Sequence, residues 1–270
     1  QEVMISVVTC THNTPADTLA RTWASLKNQT HNNWEWVIID DSPGWETHRQ
    51  LYGYCADERH TIRIYRPHTP SNGNIGATKH DAFMLARGEL LVELDHDDEL
   101  TPDALTTIQQ YADKVPYSGF FYSDWCEILP DGQSGRYPEG WAFGYGDHYW
   151  DEQHQVWAMK APEINRTTLS HIVSAPNHVR VWRSDLYHRL GGHNPDLPIA
   201  DDYELCVRTA LATRMTHIPK MLYKQHIGNH TAQRQRNGLI QELVARISST
   251  YSDDLDQIYR GLETPAPTKE

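Results

Sequence analysis

The 270-residue chain is 39% hydrophobic and 22% charged, the composition of a water-soluble folded protein with one large domain or two small ones. Its 36 acidic residues against 24 basic ones give a formal charge of −12, which argues against a nucleic-acid backbone binder and a polybasic membrane anchor. No apolar run approaches the ~20 residues of a membrane span. The opening QEVMISVVTC has neither the basic region nor the cleavage motif of a signal peptide, so a cytoplasmic location is expected. The first residue is Gln, which suits an excised or processed domain. Cys10, Cys55, Cys126 and Cys206 form no CxxC pair and read as reduced, buried thiols. The 16 histidines prompt a search for metal ligands.

Strand and helix alternate through the first half. MISVVTCT reads as a buried strand, and Pro15 suits the first turn of a helix carrying Leu19, Trp23 and Leu26 on one face. WEWVIIDD is a second buried strand. A polar helix is predicted from about Trp45 to Asp57, followed by the strand TIRIY. A further helix spans Asn74 to Arg87 and is closed by Gly88. ELLVELD is the next strand and runs directly into His96-Asp97-Asp98. A helix then starts at Thr101-Pro102, with Leu105, Ile108, Tyr111 and Val115 on its core face, and GFFYSDWCEIL is another strand.

From Asp131 to about Asn165 the rhythm stops, which predicts a long loop with one strand. Beyond it lie an HVRVW strand, a short helix to Gly191-Gly192, the helix DDYELCVRTALA and a strand near HIPKMLYKQH. One C-terminal helix is predicted to face the core through Leu239, Leu243, Ile247, Tyr251, Ile258 and Leu262. Residues 263–270 read as a disordered tail.

Such alternation predicts right-handed βαβ units and a mostly parallel sheet. Ligands bind beyond the carboxyl ends of such strands. Thr9 to Asn13, Asp40, Asp41 and Asp95 to Asp98 all fall there, making one acidic crevice. Residues i and i+2 of a strand share a face, so Asp95 and Asp97 can point the same way, and two such carboxylates repel unless a cation lies between them. Oxygen ligands suit Mg²⁺ or Mn²⁺. Asp201-Asp202 opens a helix, either as an ordinary N-terminal cap or as a general base. His226 and His230 flank a glycine-containing loop and are candidate further ligands. The aromatic stretch from Trp141 to Trp157 suits either a sugar-stacking surface or a packed cover.

These pieces, in this order, resemble glycosyltransferase family 2, the inverting enzymes of the GT-A fold. The resemblance runs from Val3 to about Arg236. It rests on Ser6 to Asn13, on Trp36 to Ser42 and on Asn74-Ile75-Gly76 to His80. It also rests on Ala86 to Glu89, on Leu94 to Asp98 with Pro102 to Leu105, on Gly191-Gly192 and on Ala200 to Leu205. It implies an α/β, Rossmann-like, mostly parallel sheet flanked by helices, within one domain over 1–262. Residues 1–100 would form a nucleotide-binding half, 101–236 an acceptor half and 237–262 a C-terminal helix.

The resemblance also implies residue roles. Thr9 and Asp41 would contact the nucleobase, Asp41 accepting from uracil N3–H, while Asp40 would do the same or support the turn. His12, Asn74, Lys79, Asp95, His96, Arg234 and Arg236 would complete the donor site, with Lys79 near the phosphates. Asp97 would be the principal metal ligand, joined by Asp95 and by His226 or His230. Asp202 would be the base, and Trp141, His178 and Glu204 are guesses for the acceptor side.

The implied reaction is metal-dependent inverting transfer from a nucleotide-sugar, a UDP-sugar favoured, to a glycan or lipid-linked hydroxyl. It could occur at the cytosolic face of a membrane. The competing readings are a sugar-binding or inactive scaffold and a paired-carboxylate glycoside hydrolase. A nucleotidyltransferase would need a glycine-rich loop after the first strand, and Cys10 to Pro15 holds no glycine.

Overall fold

The computed structural model describes residues 2–57, 59–228 and 236–260. The strand Trp34–Asp40 (β2) buries all seven residues and Ile5–Thr11 (β1) all but Cys10, so neither shows the one-sided alternation of a surface strand. β1 pairs in parallel with β2 on one side and with Leu90–Glu93 (β4) on the other, and Thr61–Tyr65 (β3) extends the sheet beyond β2. Helices Ala16–Lys27 (α1), Glu46–Tyr54 (α2) and Ile75–Met84 (α3) are the crossovers. The buried stripe of α1 is Leu19, Trp23 and Leu26. Trp23 lies flat on Trp36 of β2, ring centroids 5.6 Å apart.

The sheet is less parallel than alternation alone predicts. Arg180–Arg183 (β9) runs antiparallel between β4 and Phe120–Ile128 (β6). Met215–His226 (β10) lies parallel to β6, and Glu99–Leu100 (β5) closes the far edge antiparallel to β10. The order is β3-β2-β1-β4-β9-β6-β10-β5. Helix Ala104–Lys114 (α4) packs on β6 and β10.

The expected long loop after Asp131 is more regular than predicted. His148–Asp151 (β7) and Val156–Met159 (β8) form an antiparallel hairpin tied to β6 through Trp125 and Met159. Cross-strand Trp150 and Trp157 meet edge to face on it, the kind of pair that stabilises a hairpin.

Helices Arg166–His171 (α5), Ser184–Arg189 (α6) and Asp201–Ala212 (α7) follow. The predicted single C-terminal helix is two, Asn237–Thr250 (α8) and Ser252–Tyr259 (α9), meeting at Tyr251. The buried positions are Ile240, Leu243, Ile247 and Leu255, while Leu239 and Ile258 are exposed. These four pack with Leu197, Tyr203 and Val207 as a second apolar cluster around α7. Leu262 and the predicted tail lie outside the described residues. Among the described residues no helix is long and apolar enough to cross a membrane.

The start of α3 docks on the loop that leads into α7. Ile75 N–H donates to Pro198 O at 3.0 Å and Gly76 N–H to Leu197 O at 3.2 Å. Asn74 caps α3 through its Oδ1 and donates from Nδ2 to Pro195 O at 2.8 Å. A methyl group at Gly76 would overlap the carbonyl oxygens of Leu197 and Asn194. Gly76→Ala is therefore expected to lower stability by about 1–3 kcal/mol, read as a shifted urea midpoint, because backbone must move to admit it. An unchanged midpoint would show that this contact yields freely.

Candidate active site

The carboxyl ends of β1, β2 and β4 reach the same edge of the sheet, as parallel pairing requires. β4 ends in Glu93, which is 1% exposed. Two cations meet it. Lys79, one turn into α3, lies 2.5 Å from Oε1, and Arg180, directly across the β4–β9 register, lies 3.3 Å from Oε2. Burial alone would lower the Lys79 pKa, but Glu93, Asp201 and Asp95 outweigh it and hold the ammonium well above its usual range. Burial likewise pushes Glu93 up, and Lys79 and Arg180 reverse this to hold it well below the carboxylate range.

Two residues beyond Glu93, Asp95 falls on the same side. Glu93, Asp95 and His178 offer ligand atoms within 4.8 Å of one another. His178 Nε2 is 3.7 Å from Asp95 Oδ2, and the imidazole stacks on Tyr223 with centroids 4.6 Å apart. Both His178 ring nitrogens are buried without a hydrogen-bond partner. The alternation expected for Asp95 and Asp97 thus operates one step earlier, because β4 ends at Glu93 and Asp95–Asp98 is a turn.

That turn is braced by α1. Thr22 Oγ1 donates to the carbonyls of Asp98 at 2.8 Å and His96 at 3.1 Å, and Arg21 donates to Asp97 O at 2.9 Å. His96 Nδ1 meets Thr14 Oγ1 at 2.6 Å. Asp98 is buried and accepts from Tyr223 O–H and His226 N–H, each at 2.8 Å. Asp97 stays partly exposed. Burial pushes its pKa up against the pull of His96, and Asp95 adds to the rise. His226 Nε2 is engaged by Glu99 at 2.6 Å. The expected set of Asp95, Asp97 and His226 is therefore not gathered into one three-ligand cluster, and His230 and Arg234 lie outside the described residues.

Several expected donor contacts are already spent inside the protein. Thr9 is buried, its Oγ1 accepting from Trp36 Nε1 at 2.9 Å, so its side chain faces the core and not the crevice. Asp40 is fully buried. It accepts from Thr11 Oγ1 at 3.1 Å and from Ser42, and so supports the turn rather than reading a base. Asn74 is a helix cap. Asp41 remains at the rim, 9% exposed, its carboxylate held by the N–H and hydroxyl of Ser71. His12 is exposed beside it, with Nδ1 2.9 Å from Asp41 O. Arg236 donates to Gly73 O at 2.7 Å, at the entry to α3.

On the other wall, Ala200 takes a left-handed conformation with φ of 61° and delivers Asp201 and Asp202 to the start of α7. Asp202 keeps 30% of its side chain exposed. Its Oδ2 lies 3.0 Å from Arg180 and its Oδ1 accepts from Tyr203 N–H at 2.8 Å. Burial raises its pKa, but Arg180 and then Lys79 lower it further, leaving it ionised. Asp201 faces inward toward His193, and burial pushes its carboxyl up to about 7.

Glu204 is turned away from the crevice. It pairs with Arg208 at 2.6 Å and accepts from Tyr251 O–H at 2.8 Å, so it ties α7 to the C-terminal helices instead of meeting an acceptor. His178 sits among the carboxylates of the crevice, not on a separate acceptor side. Trp141 is exposed and stacks on Tyr137, centroids 4.9 Å apart.

The chain matches the profile of Glycosyl transferase family 2 over residues 6–186 and belongs to that family. It is 27% identical over 224 residues to the uncharacterised protein y4gI of Sinorhizobium fredii, covering 82% of this chain and 22% of that one. To the putative colanic acid biosynthesis glycosyl transferase WcaA of Escherichia coli it is 33% identical over 101 residues, 37% of this chain and 35% of the relative. To the O-antigen biosynthesis protein RfbC of Myxococcus xanthus it is 24% identical over 237 residues, 87% of this chain and 17% of the relative. The chain thus spans well under half the length of these relatives.

The structure of Staphylococcus aureus TarS 1–349 in complex with UDP-GlcNAc superposes with a TM-score of 0.66 at 17% identity, covering 90% of this chain and 66% of that one. GalNAc-T7 with UDP, GalNAc and Mn²⁺ gives 0.63 at 17% identity, covering 83% and 44%. The fold is GT-A, and the domain is a glycosyltransferase domain.

Asp201 yields a pH prediction. Its raised pKa means that the folded protein holds a proton which the unfolded chain has released by neutral pH, so its contribution to stability is lost as pH rises through about 7. Asp201→Asn should therefore gain in urea midpoint over the wild type more at pH 8 than at pH 5. An equal difference at both values would show an ordinary Asp201.

Proposed function

We propose that this domain catalyses divalent-cation-dependent, inverting transfer of a sugar from a nucleoside diphosphate donor, a UDP-sugar favoured, to a hydroxyl of a glycan or lipid-linked acceptor. The observation that carries this reading is the placement of Asp202: ionised, partly exposed and at the mouth of a crevice whose far side holds the strand-end residues Asp41, Asp95 and Asp97. The family supports the reaction class. The UDP and UDP-GlcNAc complexes of TarS support the donor class, and the names of WcaA and RfbC, colanic acid and O-antigen biosynthesis, support a glycan as the acceptor.

In this reading Asp202 takes the proton of the acceptor hydroxyl as that oxygen attacks the anomeric carbon. The carbon–oxygen bond to the diphosphate breaks on the opposite face, through an oxocarbenium-like transition state of the kind seen in glycoside hydrolysis. Asp41 opens from Ser71 to receive the base, and His12 and Arg236 border that end. Asp95 and His178, whose ligand atoms lie together, would hold the cation, and Asp97 of the same turn is the further ligand that the family resemblance implies. Their mixed carboxylate and imidazole donors, and the two unpartnered nitrogens of His178, fit Mn²⁺. When bound, such an ion neutralises the departing nucleoside diphosphate.

Calorimetric titration of UDP, GDP and dTDP, each with Mn²⁺ and with EDTA, tests the donor site. UDP should bind with Mn²⁺ and lose that binding in EDTA, and Asp97→Ala should lose it as well. Asp202→Asn should bind UDP normally while its turnover falls by about 10²–10⁴-fold. Absence of nucleotide binding with Mn²⁺ present would overturn the donor reading, and near-normal turnover of Asp202→Asn would overturn the base assignment.

A further inference from the structure

Arg180 has no role in the reaction as set out above, yet it is the only described cation that touches the side chain of Asp202 within ion-pair distance. It is 2% exposed, too deep to reach a substrate. Each of its contacts fixes its head group. Nε donates to Pro176 O at 3.0 Å, and NH1 lies 3.3 Å from Glu93 Oε2 and 3.0 Å from Asp202 Oδ2. The strand register sets this directly, because Glu93 of β4 and Arg180 of β9 are cross-strand partners. A planar guanidinium can satisfy a carbonyl and two carboxylates from one rigid fork, which a lysine ammonium on a flexible stem cannot match.

We propose that Arg180 is a positioning residue for the base: anchored by Glu93 and Pro176, it holds the Asp202 carboxylate ionised and in one orientation at the crevice mouth. This inference rests on the reading of Asp202 as the base. The groups facing Asp202 are Lys79 from α3, Glu93 at the end of β4, Arg180 from β9, Asp201 and Cys206 on its own helix α7 and His193 from the preceding loop. Among the described residues Lys79 pairs with Glu93 and Arg180 with both Glu93 and Asp202, so Arg180 is the cation placed to set the Asp202 geometry. The clamp also ties the base to the strand that leads into the Asp95 turn. A shift of β9 against β4 would move Asp202 with it.

The test is a carbon-13 NMR titration of protein labelled at the aspartate carboxyls, from about pH 3 to 9, with Asp202→Asn identifying the resonance. Arg180→Met should move the Asp202 midpoint up by about one pH unit or more, the size expected for loss of an adjacent opposite charge. Arg180→Lys should move it by less, since the charge remains and the fork does not. Binding of UDP with Mn²⁺ should change by less than about threefold in either folded variant, a difference under 1 kcal/mol. If Arg180→Met does not fold, the Lys variant decides alone.

An unmoved Asp202 midpoint in a folded variant would overturn the proposal. So would loss of nucleotide binding in step with the midpoint, which would mark a general collapse of the site. Turnover of Asp202→Asn judges the base reading separately. The titration therefore reports on Arg180 even if another group proves to be the base.

Discussion

A carboxylate as buried as Glu93 cannot stay ionised without cations beside it, and here two arrive from opposite directions. Lys79 reaches it from α3 and Arg180 from β9, and Arg180 passes the connection on to Asp202 at the head of α7. Four elements, α3, β4, β9 and α7, are therefore registered through Glu93 and Arg180. Removing a single partner from such a buried set typically costs about 3–5 kcal/mol, because the remaining charge has no water to turn to. The site's geometry and the stability of its surroundings are consequently one problem.

Much of this architecture was legible from residue order. Buried strands ending in polar residues located the crevice. The acidic pair that opens DDYELCVRTALA located Asp202, and Trp23 and Trp36 announced a core. Side-chain direction was less accessible. Thr9 and Asp40 sit at strand ends where ligand contacts are expected, but which face of a buried strand looks toward helix and which toward ligand depends on what packs there. Thr9 turned out to serve Trp36, and Asp40 to serve Thr11 and Ser42. Asn74 was expected in the donor site, but both ends of its amide are engaged within the protein, Oδ1 in capping α3 and Nδ2 in holding it to Pro195.

Glu93 and Arg180 escaped notice although each carried a signal. An acid inside LLVE and an arginine inside HVRVW both interrupt apolar strands, and interruptions of that kind mark buried ion pairs. Nothing in the order of residues could have matched the two, because β9 enters the sheet antiparallel, against the parallel rhythm that precedes it. The same insertion explains why His178 belongs to the carboxylate cluster: it lies two residues before Arg180 on the approach to the strand that borders β4. The second apolar cluster was obscured by the break at Tyr251, beyond which Leu255 is buried and Ile258 exposed.

The placement of β9 also bears on how the chain matures on the ribosome. The first four strands can assemble as β3-β2-β1-β4 once residue 93 has emerged, but the outer side of β4 then stays open. Alternate residues of Leu90–Glu93 present unpaired amides and carbonyls along that edge until Arg180–Arg183 is synthesised. Open apolar edges of this sort recruit other strands, including those of neighbouring nascent chains. A fragment ending before β9 would therefore be prone to aggregate, whereas the family match, which ends at residue 186, just encloses the strand that seals the edge.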